Sequence, residues 1–166
     1  MSPEFVTIVR DGLRVEESRS AEARRQVLSQ QEIKSIITAA KTVDAAGDWD
    51  GDLYRLVVLL AATGARFSQI SRMTVADVQA SKSRLLIPVS RKGRGIKRLE
   101  HIALPVGPDV IDALTPAIEG RAGHLPLLER WKKAQIGPTE WRRDRREAWR
   151  SPSELNRPWS SILKAA

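Results

Sequence analysis

An apolar run of ten residues, Leu53 to Ala62, is the feature that most constrains how this chain can fold. The run is too short to span a membrane and is typical of a buried helix. Gly64 comes two residues after it, as glycine commonly does where helices end. A second helical pattern covers residues 68–73, so Arg66 falls between two predicted helices. We expect an arginine held there to present paired N–H donors to a phosphate, and a solvated loop arginine is the alternative.

The residues around this arginine resemble a motif of a known enzyme family. Residues 59–70 read LLAATGARFSQI and resemble the T-G-x-R-x-x-E-[IL] box of tyrosine recombinases, the phage integrases. The resemblance implies that Arg66 is a catalytic arginine that contacts the scissile phosphate. The family usually has an acidic residue three positions later, where this chain has Gln69. A glutamine can accept a hydrogen bond from arginine, but it brings no charge to orient the guanidinium.

A second informative stretch is strongly basic. Residues 85–89 are predicted to form a strand and residues 99–104 its partner, with Gly93 and Gly95 in the turn between them. Such a density of cations without an intervening acid suits contact with a nucleic-acid backbone, while a solvated turn is the alternative. The cations of the stretch are Lys82, Arg84, Arg91, Lys92, Arg94, Lys97 and Arg98.

This stretch resembles the β-hairpin that carries the catalytic lysine in tyrosine recombinases. The resemblance places that role on Lys92, as the general acid that protonates the leaving 5′-oxygen. Neighbouring cations lower the proton affinity of a lysine, and Arg91 and Arg94 provide them. Lys97 is the alternative, because the sequence does not fix the register of the hairpin. The predicted DNA-binding residues are Arg91, Arg94, Lys97 and Arg98, and the scheme needs no metal or other cofactor.

The resemblance also implies a fold and a division of the chain. We expect a mainly α-helical fold with one small antiparallel β-sheet (α+β), in which residues 28–166 form a partial, truncated integrase catalytic domain. Residues 1–27 are predicted to be a linker, and their beginning, Met1 to Phe5, is typical of residues left by cloning. The H-x-x-R box and the nucleophilic tyrosine of the family have no match here. The parent protein is therefore expected to break and rejoin DNA through a 3′-phosphotyrosyl intermediate, and this fragment alone to be inactive.

Helix starts are predicted by capping residues. Ser29 and Glu32 have the spacing of a capping box. Ser68 is predicted to cap the helix after Arg66, and residues 108–118 form a helix with proline in its first turn. Ser151 repeats the capping pattern near the end of the chain.

Residues 130–150 interleave basic side chains with tryptophans. Basic residues and aromatic rings together can follow a phosphate backbone and stack on bases. Tryptophans more often serve as core anchors, so we interpret the segment as an insertion packed by Trp131, Trp141 and Trp149. Its outer surface is basic and is predicted to contact DNA.

Composition supports a polyanionic partner, since the net charge is +8 and the isoelectric point is about 10.4. The chain has no cysteine, no membrane-length apolar segment and no signal peptide, which favours a cytoplasmic protein. The resemblance to tyrosine recombinases implies a nucleoid-associated protein of a bacterium or phage. The expected partner is double-stranded DNA, on which the family implies that the full-length parent oligomerises. The alternatives are a non-catalytic DNA-binding protein with an integrase-like fold and a basic protein that binds RNA.

Overall fold

The computed structural model describes residues 28–90 and 100–166, which form α-helices and two small antiparallel sheets. The α-helices are α1 (Gln30–Ala46), α2 (Asp52–Thr63), α3 (Phe67–Ile70), α4 (Pro108–Ile118) and α5 (Asn156–Ala165). The strands are β1 (Val78–Gln79), β2 (Arg84–Pro88), β3 (His101–Pro105), β4 (Glu129–Gln135) and β5 (Trp141–Ala148). Short 3-10 turns cover Val75–Asp77, Ala80–Lys82 and Pro152–Leu155. The predicted class of helices with a small antiparallel sheet is confirmed, and β4 and β5 add a sheet that the sequence did not predict.

Helix α2 lies in the hydrophobic core, as its apolar sequence predicts. Its buried apolar side chains are Leu53, Leu56, Val57, Val58 and Leu59. Ala40 of α1, Leu114 of α4 and Leu85 of β2 belong to the same buried cluster. Because burial of each leucine contributes roughly 1.5–3 kcal/mol, this run anchors α2 and the loop that follows it.

The C-terminal end of α2 is set by Gly64, as predicted. Gly64 has a φ of 60° and donates its N–H to Leu60 O at 3.0 Å. An added Cβ would meet no atom within 4 Å, so glycine is favoured here by the left-handed backbone and not by lack of space. The chain then turns, and Arg66 adopts an extended backbone at the start of α3.

Two capping predictions have different outcomes. Ser29 caps α1, because its Oγ accepts from Glu32 N at 3.2 Å and Glu32 Oε2 accepts from Ser29 N at 2.7 Å. The prediction that Ser68 caps α3 is wrong, since α3 begins at Phe67 and Ser68 lies inside its first turn. The side chain of Gln69 takes the capping role and accepts from Arg66 N at 3.2 Å.

The remaining helix signals are confirmed. Pro108 opens α4, where its missing N–H leaves no hydrogen bond unmade. Ser151 Oγ accepts from Ser153 N at 3.3 Å and starts a 3-10 turn. Helix α5 then restarts at Asn156, so that Pro158 falls in its first turn.

The three-stranded sheet has the order β1-β2-β3 with antiparallel pairing throughout. Strand β2 pairs Leu86 with Ala103 and Ile87 with Ile102 of β3. The predicted strand at 85–89 is therefore confirmed with a shift of one residue. Its predicted partner is confirmed from His101 onwards, and residue 99 lies outside the described residues. The end of β2 brings the chain to Ser90, close to α3.

Candidate nucleic-acid interface

Arg66 lies in the loop between α2 and α3, and its side chain reaches the end of β2. Its Nη1 donates a hydrogen bond to Ser90 Oγ at 3.2 Å. The side chain is exposed, and within residues 28–90 and 100–166 it forms no ion pair with a carboxylate. The guanidinium is therefore held at one point and keeps its charge and other donors available to an anion.

Gln69 joins α3 to β2 through its amide. Its Oε1 accepts from Arg66 N at 3.2 Å, and its Nε2 donates to Pro88 O at 2.7 Å. The expected hydrogen bond between Gln69 and this arginine exists, but it involves the backbone of Arg66 and not the guanidinium. Gln69 thus fixes the loop, while Ser90 orients the charged group.

A second arginine, Arg72, strengthens the same junction. Its Nε donates to Ser68 O at 2.8 Å, and its Nη2 donates to Val89 O at 2.8 Å. Among the described residues Arg72 also has no carboxylate partner. Two guanidinium groups without carboxylate partners therefore donate to neighbouring residues, Arg72 to Val89 and Arg66 to Ser90. Sequence reasoning missed Arg72, because it lies in the turn after α3 and outside the motif that singles out Arg66, so no local pattern marks it.

The predicted hairpin residues cannot be placed beside this arginine. Arg91, Lys92, Arg94, Lys97 and Arg98 all lie in 91–99, outside the described residues. The roles of Lys92 as general acid and of the other four in DNA binding therefore stay predictions. What the structure does show is that the strand leading into this segment is joined to Arg66 and Arg72.

The tryptophan-rich segment forms an antiparallel two-stranded ribbon, β4 and β5, which we call the ribbon (residues 129–148). Trp149 just beyond it is buried and stacks on Trp49, with ring centroids 5.8 Å apart. Trp131 is half-buried. The prediction that Trp141 is a core anchor is wrong, because it is 58% exposed next to the turn of the ribbon.

The base of the ribbon is fastened to the loop between α1 and α2. Trp131 Nε1 donates to Asp50 Oδ2 at 2.7 Å, and Arg143 Nη1 donates to the same oxygen at 2.9 Å. Arg143 also pairs with Asp48. The hydrogen bond from Trp131, followed by that from Arg143, lowers the pKa of Asp50. These intramolecular ion pairs neutralise the positive charge of Arg143.

Asp52 forms the buried part of this junction. It is 3% exposed, and Oδ1 accepts from Arg146 at 2.6 Å and from Arg55 at 3.3 Å. Its Oδ2 has no hydrogen-bond partner in the described part of the chain. Burial raises the pKa of Asp52 to about 6, although the hydrogen bond from Arg146 acts in the opposite direction.

The two histidines of the chain lie in a strand and in a loop. His101 belongs to β3, and its Nε2 lies 3.4 Å from Asp77 Oδ1. His124 is exposed in the connection between α4 and β4. Neither contacts Arg66, so the candidate interface consists of arginines and their hydrogen-bond acceptors.

Comparison with known proteins gives one weak structural match. A crystal structure of XerA recombinase has 25% sequence identity and a TM-score of 0.42, over 55% of this chain and 29% of that chain. A TM-score of this size does not establish a shared fold. No family model and no curated protein matches the sequence. This chain spans less than a third of the length of the recombinase chain that it matches.

The helices of the described residues have at most 17 residues. None of those within 28–90 and 100–166 is both long and apolar enough to cross a bilayer.

Proposed function

We propose that the surface around Arg66 binds a backbone phosphate of duplex DNA, as part of a site-specific tyrosine recombinase. The observation that carries this proposal is the exposed guanidinium of Arg66, which is fixed to Ser90 and has no carboxylate partner in the described chain. A guanidinium that is oriented but not neutralised is suited to a phosphate, which accepts two parallel N–H bonds. Arg72, at the same junction, adds a second positive charge.

The chemistry proposed for Arg66 is stabilisation of charge on the non-bridging oxygens during phosphoryl transfer. Lys92 is proposed as the general acid for the leaving 5′-oxygen, with Lys97 as the alternative. Support for this assignment comes from the chain itself, since Lys92 follows Ser90 by two positions and consecutive Cα atoms are about 3.8 Å apart. Arg91, Arg94, Lys97 and Arg98 would then add contacts to the DNA backbone.

The tyrosine nucleophile of the reaction has no counterpart in this chain. Tyr54 is the single tyrosine, and it is half-buried in α2 with Lys41 Nζ 5.9 Å from its ring centroid. We therefore propose that residues 28–166 supply DNA binding and part of a catalytic site to a longer recombinase. Oligomerisation on DNA and association with the nucleoid belong to the same proposal.

A non-catalytic DNA-binding protein is the second candidate, and Gln69 favours it. In the family motif an acidic residue occupies this position, where a carboxylate would add charge beside the arginine. Here the side-chain amide of Gln69 forms hydrogen bonds with two backbone groups, Arg66 N and Pro88 O. Under this alternative Arg66 holds a phosphate without contributing to strand cleavage.

Fluorescence anisotropy with a labelled duplex tests the proposal. We expect the chain to bind duplex DNA with an affinity that falls as salt is raised between about 50 and 200 mM, because bound phosphates release counterions. Unlabelled duplex should compete better than double-stranded RNA of matched sequence, whose A-form grooves have a different shape. Absence of binding at low salt, or stronger competition by RNA, would refute the proposal.

A further inference from the structure

Most of the cations of the ribbon are neutralised within the molecule. Arg130 pairs with Glu154 at 2.5 Å, and Arg146 pairs with Asp52 at 2.6 Å. The other ion pairs of the ribbon cations join Arg143 to Asp48 and Asp50, Arg145 to Asp144 and Glu147, Lys132 to Glu147, and Arg146 to Glu129. Most of the positive charge of residues 129–148 is therefore neutralised by ion pairs within the ribbon and between the ribbon and the rest of the described chain.

Two cations nearer the turn are different. Lys133 and Arg142 are both exposed, and neither has a hydrogen bond or an ion pair to its side chain among the described residues. Trp141 and Ile136 beside them are 58% and 56% exposed, although large apolar side chains are usually covered. We call these four residues the ribbon tip.

The register of the ribbon puts the two cations on opposite faces. Lys133 pairs directly with Arg143, whereas Arg142 pairs with Ala134, and residues directly opposite each other share a face. Lys133 therefore shares its face with Arg143, and also with Trp141, which is two residues away along β5. Arg142 projects from the other face. The ribbon tip thus carries, on each face, one cation that has no partner among the described residues.

We propose that the ribbon tip is a second DNA-binding element, which enters the major groove of a duplex. The major groove is roughly 12 Å wide and admits a two-stranded β-ribbon. Phosphate strands flank the groove, so Lys133 and Arg142, which lie near the end of the ribbon, are placed to contact the DNA backbone when the tip enters it. Trp141 supplies an exposed aromatic surface for contact with sugars or base edges.

The anchoring of the ribbon suits it to this role. Trp131, Arg143 and Arg146 hold one face of the ribbon against the loop of residues 48–52. Trp141 and Ile136 lie beyond these contacts toward the turn, while Lys133 is directly opposite the anchored Arg143. The tip is therefore pre-organised, so less conformational freedom is lost on binding. Glu140 in the turn and Asp144 on β5 are acids near the tip, and among the described residues neither forms an ion pair with Lys133 or Arg142.

The inference rests on the proposed DNA binding, and matched arginine variants test it separately. Arg142→Ala and Arg145→Ala each remove one exposed arginine from β5, but Arg145 is already neutralised by Asp144 and Glu147. We expect Arg142→Ala and Lys133→Ala each to weaken duplex binding about threefold to tenfold and to lower the salt slope by about one. Arg145→Ala should change affinity less than about twofold, because its charge is not available to phosphate.

Variants of Trp141 test a contribution to binding that does not depend on charge. Trp141→Ala should weaken binding with an unchanged salt slope, and Trp141→Phe should retain most of the affinity, since an aromatic ring remains. Melting temperatures should match the wild type for all tip variants, because these side chains are exposed and the two cations form no ion pair within residues 28–90 and 100–166. Equal affinities of the Arg142→Ala and Arg145→Ala variants, while Arg66→Ala still weakens binding, would overturn this inference alone. A loss in Arg142→Ala that is larger on RNA than on duplex DNA would overturn the assignment to the major groove. If the wild type binds no duplex, this inference and the proposed function both fail.

Discussion

The guanidinium of Arg66 donates a hydrogen bond to Ser90 Oγ at 3.2 Å and so joins the loop after α2 to the end of β2, 24 residues later in the chain. Within residues 28–90 and 100–166 the charged group is anchored at one neutral acceptor, in an exposed position. A carboxylate at the same place would orient the arginine more strongly, but it would also neutralise the charge that a phosphate needs. The geometry therefore favours an arginine that receives an anion over one that only stabilises the fold.

Gln69→Glu is expected to destabilise the fold, although it restores the acidic residue of the recombinase motif. Gln69 Nε2 donates to Pro88 O at 2.7 Å, and an ionised carboxylate would instead face that carbonyl oxygen. Loss of this donor should lower the free energy of unfolding by about 1–2 kcal/mol, measured by urea denaturation at neutral pH. Ser68→Glu is the control, because it adds the same charge at an exposed neighbour in α3. A Gln69→Glu variant as stable as the wild type would contradict the assigned hydrogen bond.

Asp52 should give stability a pH dependence that its asparagine variant lacks. Its pKa is raised by burial from 3.8 to about 6, so between these values the folded carboxyl keeps a proton that the unfolded chain has lost. The contribution of Asp52 to the free energy of unfolding therefore falls as pH rises, by about 1.4 kcal/mol per pH unit in this window. It is constant above the folded pKa.

Urea denaturation of the wild type and Asp52→Asn at about pH 4.5 and about pH 5.5 checks this sign. The stability of the wild type relative to the variant should decrease at the higher pH. A relative stability that increases with pH would mean that the ion pair with Arg146 dominates over burial.

No covalent adduct is expected when this chain meets a nicked duplex that traps phosphotyrosyl intermediates. The single tyrosine, Tyr54, is part of α2, and its N–H donates to Asp44 Oδ2 at 2.9 Å. Its half-buried ring is not presented beside Arg66 as a nucleophile. Denaturing gel electrophoresis should show only free DNA, with Tyr54→Phe as the control. A band of protein-linked DNA that disappears in Tyr54→Phe would assign the nucleophile to this residue and reverse our view of the site.

The central helix and the Arg66 loop were predictable because local rules determine them. The apolar run 53–62 indicates a buried helix, and Gly64 ends it through a backbone conformation that glycine favours. Ser29 caps α1 by the same kind of short-range signal. The start of α3 was mispredicted because a non-local hydrogen bond network, through Gln69 and Pro88, outweighs the preference of Ser68 for a cap position.

The ribbon could not be predicted from apolar periodicity, because its strands are mostly charged and residues that favour strands are few. It forms through cross-strand ion pairs and through contacts with residues far away in sequence, such as Arg143 with Asp50, 93 positions earlier. Gly137 and Pro138 mark its turn and are the one local signal of a hairpin. The exposure of Trp141 follows from its place beside this turn, beyond the loop that covers Trp131.

The salt dependence of duplex binding by Arg66→Ala is the most direct test of the central claim that Arg66 holds a backbone phosphate. Arg157→Ala is the matched control, since Arg157 is an exposed arginine of α5 without an ion pair among the described residues. We predict that Arg66→Ala weakens binding about tenfold and lowers the slope of log affinity against log salt by about one, whereas Arg157→Ala changes neither. An Arg66→Ala variant that binds duplex DNA with the affinity and salt slope of the wild type would contradict the account.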